Sequence, residues 1–202
     1  HGYVITDNNM GRLIALSGID GAGKSTQIGL LTNHLYNLGL NIYVTESMFS
    51  YFLFKPFVKI LRKFTHSPSA GPIRRNHNPI FKCWFILAFI DIWIGYLIRT
   101  KHLLEKYDVI IADRYYTDLW ANLFYYGYCP RWAFNFLITY LPAANLSIWL
   151  SVQPDNIFKR EMEFDKNYYF EQQKIYNKLG NVKGYHTIDG NRSPKVVFKN
   201  II

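Results

Sequence analysis

Ten residues near the start of the chain, Ser17 to Thr26, read SGIDGAGKST. Three glycines, a lysine and three hydroxyls in so short a span leave few folds open. The apolar run Leu13-Ile14-Ala15-Leu16 precedes them and has the length of a strand. Gln27 to Leu35 follows, with Ile28, Leu31 and Leu35 recurring at helical spacing. The pattern predicts strand, glycine turn, helix. In that setting Gly18, Gly23, Lys24 and Ser25 fill the fixed positions of G-x-x-x-x-G-K-[ST], a loop that cradles phosphates.

The backbone explains the residue types. Gly18, Gly21 and Gly23 can take positive φ and carry no Cβ, so successive N–H groups can curl around an anion. A helix opening at Lys24 adds unsatisfied donors and the positive end of its dipole. Lys24 can reach the β- and γ-phosphates of a bound nucleotide, and the Ser25 hydroxyl can ligand Mg²⁺. The expected ligands are a nucleoside triphosphate and magnesium.

The chain has 202 residues, long enough for one domain with a substantial core. Half the residues are hydrophobic, which excludes a disordered chain. A net charge of +9 favours anionic partners and leaves a peripheral contact with an anionic surface open. Cys83 and Cys129 are the only cysteines, so there is neither a disulfide framework nor metal-ligand spacing. That usage fits a reducing, cytoplasmic compartment, and His1-Gly2-Tyr3 shows no secretory leader pattern. His1 to Asn9 precede the first methionine, Met10.

The run Ile80 to Ile98 approaches the length of a membrane span, but Lys82 and Asp91 interrupt it. No transmembrane span is expected; the reading is a helix buried through the middle of the domain. Tyr51 to Phe64 mixes aromatics with Lys55, Lys59, Arg62 and Lys63 and reads as a basic amphipathic helix. Thr65 to Asn78 is the one long polar, Pro/Gly-rich insertion.

Strand-like runs recur at Asn41–Thr45, Val109–Ala112, Leu146–Val152 and Tyr185–Ile188, each separated by helical stretches, and a last helix is expected from Pro194. Strands alternating with helices predict an α/β fold of three layers, a five-stranded parallel sheet with helices on both faces. Ligands of such sheets bind beyond the carboxyl ends of the strands. The second of those ends carries Glu46, and the third carries Asp113-Arg114-Tyr115. Asp113 is placed to anchor Mg²⁺, and Arg114 is a fork for a phosphate.

Together these pieces resemble the thymidylate kinase family of P-loop nucleoside monophosphate kinases. GIDGAGKST (Gly18 to Thr26) and DRYYTDLWA (Asp113 to Ala121) are similar to that family's specific motifs. LPAANLSIWLSVQPDNIFKR (Leu141 to Arg160) and IDGNRSP (Ile188 to Pro194) support the match, which runs in order along nearly the whole chain. The resemblance implies a single kinase domain over residues 1–202, with a short lid around 160–170. It implies that Gly18, Asp20, Gly21, Ala22, Gly23, Lys24, Ser25 and Thr26 hold ATP, with Asp20 near the metal or the acceptor. Arg114 would hold the acceptor's phosphate, Arg160 would act as a lid arginine, and Asn191 and Arg192 would border the adenine. Asp20, Glu46, Phe89 and Arg114 would line the acceptor site, Phe89 offering a surface for stacking a base. The resemblance leaves a homodimer open.

Three departures accompany it. Thr45 and Ser47 flank Glu46 where the family usually has an arginine and a proline. The helix with Phe85, Phe89, Asp91 and Trp93 lacks the family's base-reading arginine, and Glu161 to Phe170 adds no arginines to the lid. The leading expectation is transfer of the ATP γ-phosphate to a monophosphate such as thymidine monophosphate. Two alternatives stay open. One is a kinase of a hydroxyl acceptor (nucleoside, sugar or lipid-linked glycan), with Glu46 as base; the other is a nucleotide-binding regulatory module without a small acceptor.

Overall fold

Consecutive, not alternating, apolar residues make the central strands, and that pattern requires cover on both faces of the sheet. The computed structural model describes residues 10–46, 48, 50–64, 83–157 and 166–202. In β1 (Arg12–Ser17) and β3 (Val109–Asp113), Leu13, Ala15, Leu16, Ile110, Ile111 and Ala112 are all 1% exposed or less. With β2 (Ile42–Thr45), β4 (Leu146–Ser151) and β5 (His186–Asp189) they form one five-stranded, all-parallel sheet in the order β2-β3-β1-β4-β5. β1 lies at its centre, in register Leu16 to Asp113 on one side and Ser17 to Trp149 on the other.

Helices connect the strands, as parallel pairing demands. α1 (Lys24–Asn37) follows β1 and packs on α9 (Pro194–Ile201), the last helix. Between β2 and β3 lie α2 (Lys55–Phe64), α3 (Trp84–Gly95), a π-turn over Tyr96–Thr100 and α4 (Lys101–Lys106). α5 (Tyr116–Tyr125) and α6 (Arg131–Leu137) lead to β4, and the short α7 (Pro154–Ile157) and long α8 (Lys166–Lys183) lead to β5. α8 packs against α5 and β4.

The long apolar run departs from its expected form. α3 covers only part of it, and residues 80–82 lie outside the described residues, as does the insertion Thr65 to Asn78. α3 buries one face (Trp84, Phe85, Ala88, Asp91, Ile92 and Gly95), while Ile86 and Ile90 on the other are 46% and 45% exposed. The helix is therefore apolar on both sides but covered on one, and it continues through the π-turn into the charged α4. No helix among the described residues is long and apolar enough to cross a membrane.

Asp91, which reads in the sequence as an interruption of that run, has a specific task. Its carboxylate is 1% exposed and accepts the backbone N–H groups of Phe52, Leu53 and Phe54 at 2.5, 2.7 and 2.9 Å. These residues lead into α2, so Asp91 caps that helix from another element. Gly95 makes room for the same segment: a Cβ there would stand 3.1 Å from Phe52 Cβ. The basic helix expected from Tyr51 thus begins at Lys55, and Lys55, Lys59 and Lys63 are exposed on it. Replacing Asp91 by Ala should lower unfolding stability by about 1–3 kcal/mol, the cost of leaving buried donors unpaired. Denaturant melts of the two proteins measure this; equal midpoints and slopes would show that the cap carries no stability.

Candidate active site

The carboxyl ends of β1, β2 and β3 converge because the three strands are neighbours, and their sequences place Asp20, Lys24, Glu46, Asp113 and Arg114 there. From β1 the chain enters the glycine loop. Gly21 and Gly23 take φ of 79° and 87°, left-handed conformations that a side chain would strain. Gly18 packs closely instead: a Cβ there would lie 3.1 Å from Leu150 O. The Lys24 Nζ is folded into the loop, donating to Gly18 O at 3.0 Å and Ile19 O at 3.1 Å. Ser25 and Thr26 are exposed in the first turn of α1.

β3 supplies the partner groups. Arg114 has φ 67°, the one left-handed non-glycine among the described residues. Its N–H donates to Leu16 O at 2.9 Å, and its guanidinium bonds the Asp20 carboxylate. That carboxylate also stands 3.9 Å from Lys24 Nζ. Asp20 is thus shared by the loop's cation and the strand's cation. Burial pushes the Lys24 amine below its ordinary value, and the nearby Arg114 charge adds to that. For Arg114 burial works downward too, but Asp20, Tyr176, Asp118 and Asp113 outweigh it and hold the guanidinium above its ordinary value.

Asp113 is half-buried, and burial raises its pKa against the pull of Lys24 and Arg114. Its Oδ1 is buried without a hydrogen-bond partner. Such an orphaned carboxylate oxygen at a strand end suits a hard, oxygen-seeking cation, and Ser25 offers an exposed hydroxyl in the first turn of α1. Among the described residues no trio of His, Cys, Asp or Glu is grouped to hold an ion by itself. Magnesium, where such a site takes it, is held by one or two carboxylates together with waters and substrate phosphate oxygens. Glu46, exposed at the end of β2, is near enough to Asp113 for its charge to be felt there.

Asn191 and Arg192 sit in the turn after β5. The Asn191 side-chain oxygen accepts from Gln153 N at 3.2 Å and Asn156 Nδ2 at 2.8 Å, tying this turn to α7. Arg192 pairs with Asp189 at 3.1 Å on the surface. The turn also approaches the glycine loop, since a Cβ on Gly190 would stand 3.4 Å from Ala22 O. Phe89 lies on α3, its ring edge-to-face with Trp120. Arg160 and most of the expected lid lie outside the described residues.

One group went unread in the sequence. Asp118, in the first turn of α5, is fully buried. Its Oδ2 accepts from Ser17 Oγ at 2.6 Å and Tyr115 N at 2.7 Å, and its Oδ1 from the Tyr176 hydroxyl. Burial raises its pKa, opposed by these three donors and by Arg114. The available signal was its spacing, a carboxylate three residues into a helix whose N-cap is Tyr115.

No protein-family profile matches the chain. Full-length relatives do. A probable thymidylate kinase 1 of Saccharolobus solfataricus is 27% identical over 201 residues, 96% of each chain. A probable thymidylate kinase of Thermococcus kodakarensis is 26% identical over 211 residues, 86% of this chain and 92% of that one. In structure, the thymidylate kinase of Ehrlichia chaffeensis superposes with a TM-score of 0.60 at 17% identity, covering 95% of this chain and 97% of that one. The sheet order, the glycine loop, the Asp113-Arg114 end of β3 and these full-length matches agree, and the chain is similar to thymidylate kinases along nearly its whole length.

Proposed function

We propose that the chain is an ATP-dependent kinase that transfers the ATP γ-phosphate to a nucleoside monophosphate, with thymidine monophosphate as the acceptor. The observation that carries this reading is the Arg114 guanidinium, held on the Asp20 carboxylate beside the glycine loop. An arginine fork there matches an acceptor that already carries a phosphate. Such an acceptor oxygen is ionised and needs no general base. The named relatives are thymidylate kinases, which supports thymidine monophosphate over other monophosphates.

In this reading the backbone N–H groups of Gly18 to Thr26 bind the ATP phosphates, and Lys24 contributes positive charge from inside the loop. Binding of phosphates gives Lys24 and Arg114 a second anionic partner besides Asp20. Phosphoryl transfer proceeds through a loose transition state, so positioning and charge supply most of the catalysis. Ser25 and Asp113 would hold Mg²⁺, which when bound neutralises charge on the phosphates. Asn191 and Arg192 border the adenine, Phe89 faces the acceptor base, and Arg160 closes over ATP from a lid around 160–170 within a single domain.

Glu46 carries the competing reading, a hydroxyl acceptor deprotonated by a carboxylate. Two sets of variants decide between them. Lys24→Ala should remain folded and lose kcat by at least about 10²-fold, as loss of a preorganised charge does. Full turnover in folded Lys24→Ala protein would remove the glycine loop from the chemistry. Arg114→Ala should raise KM for the acceptor by about 10- to 100-fold, the worth of a charged hydrogen bond, with little change for ATP. Glu46→Gln should keep most of kcat. A Glu46→Gln loss of about 10²–10⁴-fold, the range of a general base, beside an unchanged Arg114→Ala acceptor KM, would replace the monophosphate by a hydroxyl acceptor.

A further inference from the structure

The carboxylate of Asp118 lies beneath the active site and touches neither the glycine loop's open side nor solvent. A capping carboxylate in the first turn of a helix ordinarily stands in water and satisfies one backbone donor. Asp118 is instead 0% exposed and gathers donors from two distant parts of the chain as well as its own turn. Ser17 is the last residue of β1, the step before Gly18. Tyr176 comes from α8, the helix that follows the lid segment, and its ring is stacked on Trp149 of β4 with 16° between the planes. Beside them Tyr185, which leads into β5, hydrogen-bonds Thr117 and lies 3.5 Å from Ser17 Oγ.

The third donor gives the carboxylate its reach into the site. Tyr115 N follows Arg114 directly, and Arg114 is held in a left-handed conformation that costs about 1–2 kcal/mol for an L-residue. Its own N–H is fixed to Leu16 O on one side, and the next N–H is fixed to Asp118 on the other. The strained residue is clamped between β1 and Asp118. Burying a carboxylate costs several kcal/mol unless its partners are complete, and a helix cap alone does not require that burial.

We propose that Asp118 is a positioning residue for phosphoryl transfer: it fixes Arg114 against the base of the glycine loop and joins both to α8. The inference rests on the functional reading above, in which Arg114 holds the acceptor's phosphate.

Asp118→Asn keeps the shape but turns one acceptor into a donor facing donors. With purified, folded protein, kcat/KM for thymidine monophosphate should fall by about 10- to 100-fold, the scale of a misplacement near 1 Å. KM for ATP should stay close to wild type, because the disturbance reaches the site through Arg114. Tyr176→Phe should shift acceptor KM in the same direction by less. A folded Asp118→Asn protein with a lower Tm and wild-type kinetics, or with equal losses for ATP and acceptor, would overturn the proposal. Should Asp118→Asn fail to fold, Tyr176→Phe decides: a selective rise in acceptor KM supports it, and an unchanged KM overturns it. A wild-type enzyme that turns over no nucleoside monophosphate defeats the functional reading and this inference with it. A wild type that does, beside unchanged variants, defeats the inference alone.

Discussion

A parallel sheet covered on both faces leaves its strand ends as the place where backbone and charge can meet a ligand, and β1 stands at the centre of this one. Everything else at the site follows from that burial. The chain must leave β1 abruptly, which the left-handed Gly21 and Gly23 permit. β3 runs alongside in register, so Asp113 arrives beside Leu16 and Arg114 beside the loop. The helix after the turn then begins at Lys24, whose ammonium folds back into the loop onto Gly18 O and Ile19 O.

Charge balance is the second consequence. Lys24 and Arg114 repel each other, and burial disfavours the charge on both. Asp20 lies between them and offsets this, with Asp113 and Asp118 adding to it. The cations are thereby kept close together without a ligand. In the proposed function a phosphate entering the loop would meet two positive groups already positioned, which is the preorganisation that electrostatic catalysis needs. The same reasoning links Asp118 to the site: a buried carboxyl group with three donors holds the Tyr115 N–H that follows Arg114.

The sheet was legible because its strands are short apolar runs bounded by glycine and charge, and because Gly18, Gly23, Lys24 and Ser25 admit few other readings. The residues at the strand ends, Glu46, Asp113 and Arg114, were legible for the same reason: position along a strand fixes position in space. Asp91 and Asp118 were not. Each binds partners far away in sequence, Phe52 to Phe54 in one case and Ser17 and Tyr176 in the other, and spacing along a chain does not encode such pairings. The run Ile80 to Ile98 misled in a different way. Its composition suggested burial on all sides, whereas which face of a helix is covered depends on what packs there, and α3 leaves Ile86 and Ile90 uncovered.

The acceptor is the central claim, and an acceptor panel tests it most directly. ADP release would be followed with ATP and Mg²⁺ in the presence of thymidine monophosphate, other nucleoside monophosphates, nucleosides and sugars, and without any acceptor. The account predicts rapid ADP release with thymidine monophosphate, together with formation of the diphosphate, and background rates with nucleosides and sugars. Turnover driven by a nucleoside or a sugar, or ADP release indifferent to any acceptor, would contradict it.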